Sequence, residues 1–290
     1  MSAQPWCQRE GLALLTDLYE LTMVAGFWKE QRAGQRVCFE YFFRRLPPNA
    51  GFAVAAGLGP FLQYLENLRF SSDDLDYLAT LGLFDDAFLA YLGDFRPSLT
   101  IRAVPEGTLV FPHEPILQVE GSVLEAQLVE TALLNTLNYQ TLIATKAARI
   151  CLAAEGEPVM EFGLRRAHGP DGGLSGSRAA YIGGCTSTSN VLAGKIYGIP
   201  VSGTHAHSWV MSFPSELEAF RAFARNYPDR CVLLVDTYDT LGSGVPNAIA
   251  VFKEMHAKGQ MARPAIRLDS GDLAKLSKMA YRMMTEAGLK

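Results

Sequence analysis

His207 is the residue of this 290-residue chain best suited to do chemistry. With His205 it lies in VSGTHAHS, residues 201–208, where a small-residue turn follows the apolar run 196–201. Imidazole titrates near neutral pH and serves as nucleophile or base, most effectively when a carboxylate fixes one nitrogen and its tautomer. Asp236, directly after the apolar run 231–235, is the candidate for that carboxylate. His205 reads instead as a loop histidine satisfied by its surroundings.

Two further stretches carry chemistry. Residues 161–173 read EFGLRRAHGPDGG, and the paired guanidinium groups of Arg165 and Arg166 suit a carboxylate or phosphate, because their forks bind two oxygens at once. Taken alone the pair reads equally well as a surface feature of a loop. Phe162 offers a stacking face for a planar ring. RLDSGD, residues 267–272, combines Arg267, suited to a ribose phosphate, with Asp269, suited to hydroxyls or Mg²⁺. The same tetrapeptide DSGD is also good helix-capping chemistry.

Each of these candidates follows a short apolar run, and the runs alternate with helical patterns. Strands are predicted at 158–162, 199–203, 231–235 and 265–268, with helices starting at residues 177, 215, 245 and 273. Regular βα alternation predicts parallel strands, and polar residues gathered at strand C-termini favour a barrel. Upstream, residues 12–27 have helical spacing, in which Tyr19 reads as an amphipathic-helix residue. A strand is predicted over 36–45, helices over 53–70 and 71–95, and strands over 99–118 with a hairpin turn at Pro105-Glu106-Gly107. A long helix over 123–152 bridges to the βα-alternating half. The chain therefore reads as a mixed α+β domain at 1–135 and the first part of an α/β barrel at 136–290.

Composition narrows the classes. The hydrophobic fraction is 49%, charged residues make up 19%, and the net charge is −4 with no basic block, so a nucleic-acid footprint is not expected. No apolar run approaches the roughly 20 residues of a membrane span, and the N-terminal residues carry no secretory pattern. Cys7, Cys38, Cys151, Cys185 and Cys231 are scattered without a CxxC pair, which reads as reduced, buried thiols in a cytoplasmic protein. Metal-dependent aldolase or hydrolase chemistry is disfavoured because no third ligand converges on the histidines.

In order along the chain, LTDLY (residues 15–19), EFGLRRAHGPDGG, SNVLAGK, VSGTHAHS, VDTYDT and RLDSGD resemble the nicotinate phosphoribosyltransferase family. The resemblance runs through nearly the whole chain. It implies an N-terminal α/β domain followed by an irregular TIM-like α/β barrel. It also implies a ligase that joins nicotinate to phosphoribosyl pyrophosphate, giving nicotinate mononucleotide and pyrophosphate in NAD salvage, with coupled ATP hydrolysis. Carried over by position, His207 is the histidine phosphorylated by ATP and Asp236 orients it. Tyr19 and Phe162 sandwich the pyridine ring, with Tyr19 supplied by the partner in a head-to-tail homodimer. Arg165, Arg166, Thr204 and Ser208 match substrate-binding positions, Arg267 and Asp269 those holding the ribose phosphate, and Asp269 the residue for Mg²⁺.

Members of the family continue beyond RLDSGD, and only about four or five βα units fit between residues 157 and 290, against eight in a closed barrel. The chain thus reads as C-terminally truncated with an incomplete 5′-phosphate site. The alternatives are a nicotinamide phosphoribosyltransferase and an inactive fragment or regulatory subunit of the same fold. Nicotinamide-specific relatives place an aspartate near Asn190; residues 185–190 (CTSTSN) hold no carboxylate, which favours the anionic nicotinate.

Overall fold

The computed structural model describes residue 9, residues 11–260 and residues 264–289; Cys7 lies outside them. The chain forms two compact units, Met1–Ser202 and Gly203–Lys290.

In the first unit, α1 (Leu18–Lys29) precedes β1 (Arg36–Tyr41), β2 (Ala53–Val54), α2 (Leu58–Asn67), α3 (Ser72–Thr80) and α4 (Asp86–Gly93). Next come β3 (Thr100–Ala103), β4 (Leu109–Val110), β5 (Leu117–Ser122), α5 (Val123–Leu128) and α6 (Glu130–Ala153). β1, β5 and β3 make an antiparallel sheet in that order, with Val119 opposite both Phe39 and Ile101. Burial alternates along β5, so every second side chain enters a core that includes Phe61, Tyr64, Phe88 and Leu124. Capping boxes start two helices: Ser71 with Asp74 begins α3, and Ser122 with Glu125 begins α5 at the end of β5.

The structure corrects several expectations. The helix predicted over 12–27 starts only at Leu18, with Asp17 at its N-cap. Residues 53 and 54 form β2 rather than a helix, and α2 follows Gly57, which has φ 107°. A Cβ at Gly57 would lie 2.9 Å from the Thr136 carbonyl oxygen, so both dihedral and space demand glycine. The turn at residues 105–107 exists, but β3 pairs with β5 while β4 pairs antiparallel with β2, so no hairpin forms across it. The Glu106 carboxylate accepts the Gly57 N–H at 2.6 Å and two Arg178 N–H groups at 2.9 and 2.6 Å, and backbone bonds between Ala55 and residues 107 and 108 tie the turn to the same segment. The long helix breaks at Val129. Cys185 and Cys231 are buried and Cys151 half-buried, but Cys38 is exposed, because alternation along β1 turns it outward with Glu40.

The same unit continues with β6 (Met160–Glu161), α7 (Gly169–Ile182), β7 (Ser187–Thr188) and α8 (Val191–Tyr197). β6 and β7 are parallel, and the strand predicted over 199–203 is reduced to one parallel bridge, Thr188 to Val201. α7 begins at Gly169 rather than at residue 177, with Pro170 in its first turn, a position where its missing N–H costs nothing.

The second unit holds α9 (His207–Met211), α10 (Glu216–Asn226), β8 (Val232–Leu234), α11 (Val245–Ala257), β9 (Ala265–Arg267) and α12 (Leu273–Glu286). β8 and β9 are parallel, joined by the α11 crossover, as the alternation predicts. Phe220, Leu233, Val235 and Phe252 are wholly buried in its core. Among the described residues no helix is long and apolar enough to cross a membrane.

Candidate active site

Parallel register places the second unit's site. Leu234 pairs with Arg267, and the Val235 N–H donates to the Arg267 carbonyl at 3.2 Å. The residues just beyond each strand, Asp236-Thr237 and Asp269-Ser270, therefore emerge together at the C-terminal edge. Asp236 is 1% exposed in its side chain, and its Oδ2 accepts the Asp269 N–H at 2.8 Å and the Ser270 hydroxyl at 2.6 Å. Its Oδ1 is buried without a hydrogen-bond partner, 4.0 Å from His207 Nε2.

His207 begins α9. Its Nε2 is 3.5 Å from Asp269 Oδ2, and its Nδ1 is 3.2 Å from the Thr237 hydroxyl. Arg267 completes the group: Nη2 lies 3.0 Å from Asp269 Oδ1, and Nη1 donates to Thr204 Oγ1 at 3.2 Å. Burial pushes the Asp269 carboxyl up, but Arg267, with His207 behind it, holds it below the ordinary value. The structure thus brings together His207, Asp236, Thr204, Arg267 and Asp269. Ser208 is exposed in the first turn of α9.

This arrangement selects a tautomer. Two carboxylates face Nε2, so the ring proton belongs there and the lone pair is left on Nδ1, beside a hydroxyl able to donate to it. An imidazole so held is suited to act as a nucleophile for an electrophilic phosphorus, or as a base. Sequence reasoning missed Thr237 and Ser270. Both follow a strand-end carboxylate directly in the motifs VDTYDT and RLDSGD, where the hydroxyl beside the charge was the available signal.

His205 has the structural role expected of it. It is buried, its Nε2 accepts the Leu234 N–H at 3.2 Å, and its ring meets Phe223 edge-on at 4.6 Å. Burial holds its imidazole below the ordinary 6.5. The unfolded ring takes up a proton near that value while the folded ring resists, so the unfolded state binds more protons and stability falls as pH drops below about 6.5. Thermal unfolding of the wild type is expected to weaken from about pH 7 to 5.5, and less steeply in His205→Gln. Equal slopes would refute this.

The other candidates lie in the first unit. β6 ends at Glu161; Phe162 follows, 44% exposed, and Arg165 and Arg166 share a 3-10 turn, Leu164–Arg166. Arg166 lines a cavity of about 300 Å³ with Tyr139, Glu161, Gly163, His168 and Ser177. Tyr19 stands in the first turn of α1, 50% exposed, near the exposed Leu15, Leu18 and Met23.

Asn190 is 3% exposed. Its Oδ1 caps α8 at the Ala193 N–H, and its amide donates to Ser177 Oγ at 3.2 Å and the Gly173 carbonyl at 3.4 Å. Its effect on the site therefore runs through this network. Asn190→Asp keeps the cap but sets a buried charge against the Gly173 carbonyl. A loss of about 1–3 kcal/mol is expected, measurable by denaturant unfolding. A midpoint equal to wild type would show that the amide hydrogen bonds carry no weight.

The family described as the nicotinate phosphoribosyltransferase (NAPRTase) N-terminal domain matches residues 14–138, and the nicotinate phosphoribosyltransferase (NAPRTase) family matches residues 158–287. A Bacillus subtilis nicotinate phosphoribosyltransferase is 51% identical over 280 residues, covering 96% of this chain and 56% of its own length. A Mycobacterium tuberculosis nicotinate phosphoribosyltransferase is 49% identical over 278 residues, covering 96% of this chain and 59% of its own. The crystal structure of human nicotinic acid phosphoribosyltransferase superposes with a TM-score of 0.87 at 38% identity, covering 94% of this chain and 64% of that one. The chain thus spans somewhat over half the length of the curated relatives it matches. Both halves of the sequence and the α/β fold agree: this chain belongs to the nicotinate phosphoribosyltransferase family.

Proposed function

We propose that this chain carries the nicotinate phosphoribosyltransferase reaction of NAD salvage: the ring nitrogen of nicotinate attacks C1′ of phosphoribosyl pyrophosphate, pyrophosphate leaves, and ATP hydrolysis is coupled through phosphorylation of His207. The observation that carries the reading is the His207 site itself, an imidazole whose Nε2 faces Asp269 and Asp236 while Nδ1 meets the Thr237 hydroxyl. A carboxylate-held ring would present its lone pair to the γ-phosphorus of ATP and ADP would leave; the phosphohistidine adds charge and acceptor oxygens that order its surroundings until water releases its phosphate.

Arg267, already steered by Thr204 and Asp269, would hold the ribose phosphate. Arg165, Arg166 and Ser208 would contact the anionic substrates, and Phe162 would stack on the pyridine ring. Among the described residues no group of three or more His, Cys, Asp or Glu is placed to hold a metal, so the described residues supply no cage of their own. Asp269 would help hold magnesium, which would neutralise phosphate charge. The exposed apolar surface at Leu15, Leu18, Tyr19 and Met23 supports a homodimer in which Tyr19 reaches the partner's site. The parallel pairs β6–β7 and β8–β9 support the barrel, and the free thiols of the described cysteines support a cytoplasmic location.

The test is product formation from nicotinate and phosphoribosyl pyrophosphate with and without ATP. ATP-stimulated nicotinate mononucleotide is the expected result. Preference for nicotinamide at equal concentration would replace the substrate, and no product with no ³²P transferred from ATP to a folded chain would overturn the reading.

A further inference from the structure

Glu161 is held in a way that no cap or turn requires. One carboxylate oxygen accepts the Gly163 N–H, while the other accepts the hydroxyls of Ser177, at 2.9 Å, and Thr188. The three donors come from three places: the backbone after β6, the middle of α7 and the end of β7.

The donors are themselves oriented. The Asn190 N–H donates to Thr188 Oγ1 at 3.0 Å, and the Asn190 amide donates to Ser177 Oγ at 3.2 Å. Each hydroxyl has one proton. At Thr188, with Asn190 on its acceptor side, that proton is turned to Glu161, whereas the Ser177 proton is divided between Glu161 and the Gly173 carbonyl, each 2.9 Å from Oγ. Charge-assisted bonds of this kind are about twice as strong as neutral ones. Space is tight around them as well. A Cβ at Gly163 would lie 3.1 Å from Glu161 Oε1, and one at Gly173 would lie 2.6 Å from Leu164 Cδ1.

The segment so fastened is the one that carries Phe162, Arg165 and Arg166. We propose that Glu161 is a positioning residue for the pyridine pocket: its carboxylate ties the backbone between β6 and the Leu164–Arg166 turn to α7 and β7, so that Phe162 and Arg166 meet the substrate from a fixed frame. The substrate contact rests on the function proposed above; the fastening does not.

Glu161→Gln separates the two. The near-isosteric amide still accepts from the hydroxyls but sets N–H against the Gly163 N–H. Amide hydrogen exchange without substrate is expected to quicken about tenfold or more at residues 163–167, with the interior of α7 unchanged, and Thr188→Val is expected to give a smaller change at the same amides. Unchanged exchange there, or faster exchange spread evenly through the whole unit, overturns the proposal.

The second measurement is a double-mutant cycle on turnover. Glu161→Gln is expected to raise the KM for nicotinate about tenfold with kcat within about twofold, and to add little in a Phe162→Ala background. Full additivity overturns the route through Phe162. If the wild type does not turn nicotinate over, the functional reading fails alone, and hydrogen exchange still decides the role of Glu161.

Discussion

His207→Ala is expected to abolish ATP stimulation and to lower ATP-dependent kcat/KM about a hundredfold or more, while leaving the fold intact. The ring is partly exposed, with 39% of its side chain in solvent, and its polar contacts are with Thr237, Asp236 and Asp269 rather than with a core. Removing it therefore takes away the proposed phosphoryl acceptor with little structural effect. Loss of ³²P labelling from ATP should accompany the loss of stimulation, and thermal unfolding should stay close to wild type. If ATP stimulation survives in the variant, the phosphoryl acceptor is another residue. A slow ATP-independent rate that persists in both proteins would show that substrate binding does not need the imidazole.

Gly244→Ala should be the most damaging single-methyl change in the second unit. The backbone there is ordinary, with φ −60° and ψ −53°, so strain in the dihedrals is not the cause. The cause is room: a Cβ would lie 1.8 Å from the Val235 carbonyl oxygen and 2.7 Å from its carbon. Those are backbone atoms just past the end of β8, directly before Asp236, and they cannot swing aside. Either α11 lifts from the strand or Val235 moves, at an expected loss of about 3 kcal/mol or more by analogy with severe overpacking. Gly34→Ala, where no atom lies within 4 Å, is the control and should be nearly neutral. Equal melting temperatures for the two variants would contradict the close approach.

Much of this was legible in the residues. β1, β8 and β9 fall where β-branched and aromatic runs end in turn signals, and Ser71, Asp85, Ser215 and Asp272 cap helices as their types suggest. The meeting of Asp236 and Asp269 follows from the C-termini of two parallel strands, whereas His207 reaches them from the start of α9. What escaped was settled at long range. The pairing of β4 with β2 is accompanied by contacts from Glu106 to Gly57 and Arg178, residues remote from it in sequence. β7, in the polar CTSTSN run, carries no hydrophobic signal, because its Thr188 is buried by hydrogen bonds instead. The outward turn of Cys38 is set by which face of β1 meets the core.

Asp269 is shared between two neighbours, with Oδ1 3.0 Å from Arg267 and Oδ2 3.5 Å from His207. One negative charge cannot satisfy both to the same extent in every state. An anion that draws Arg267 toward itself leaves more of the carboxylate's field on the imidazole, and a new charge on the imidazole changes what Arg267 can offer an anion. The two events are thermodynamically linked, and whatever factor one imposes on the other's equilibrium must be returned unchanged in the opposite direction. Through a single side chain, the two neighbours are joined in one reciprocal circuit without any movement of the strands that carry them.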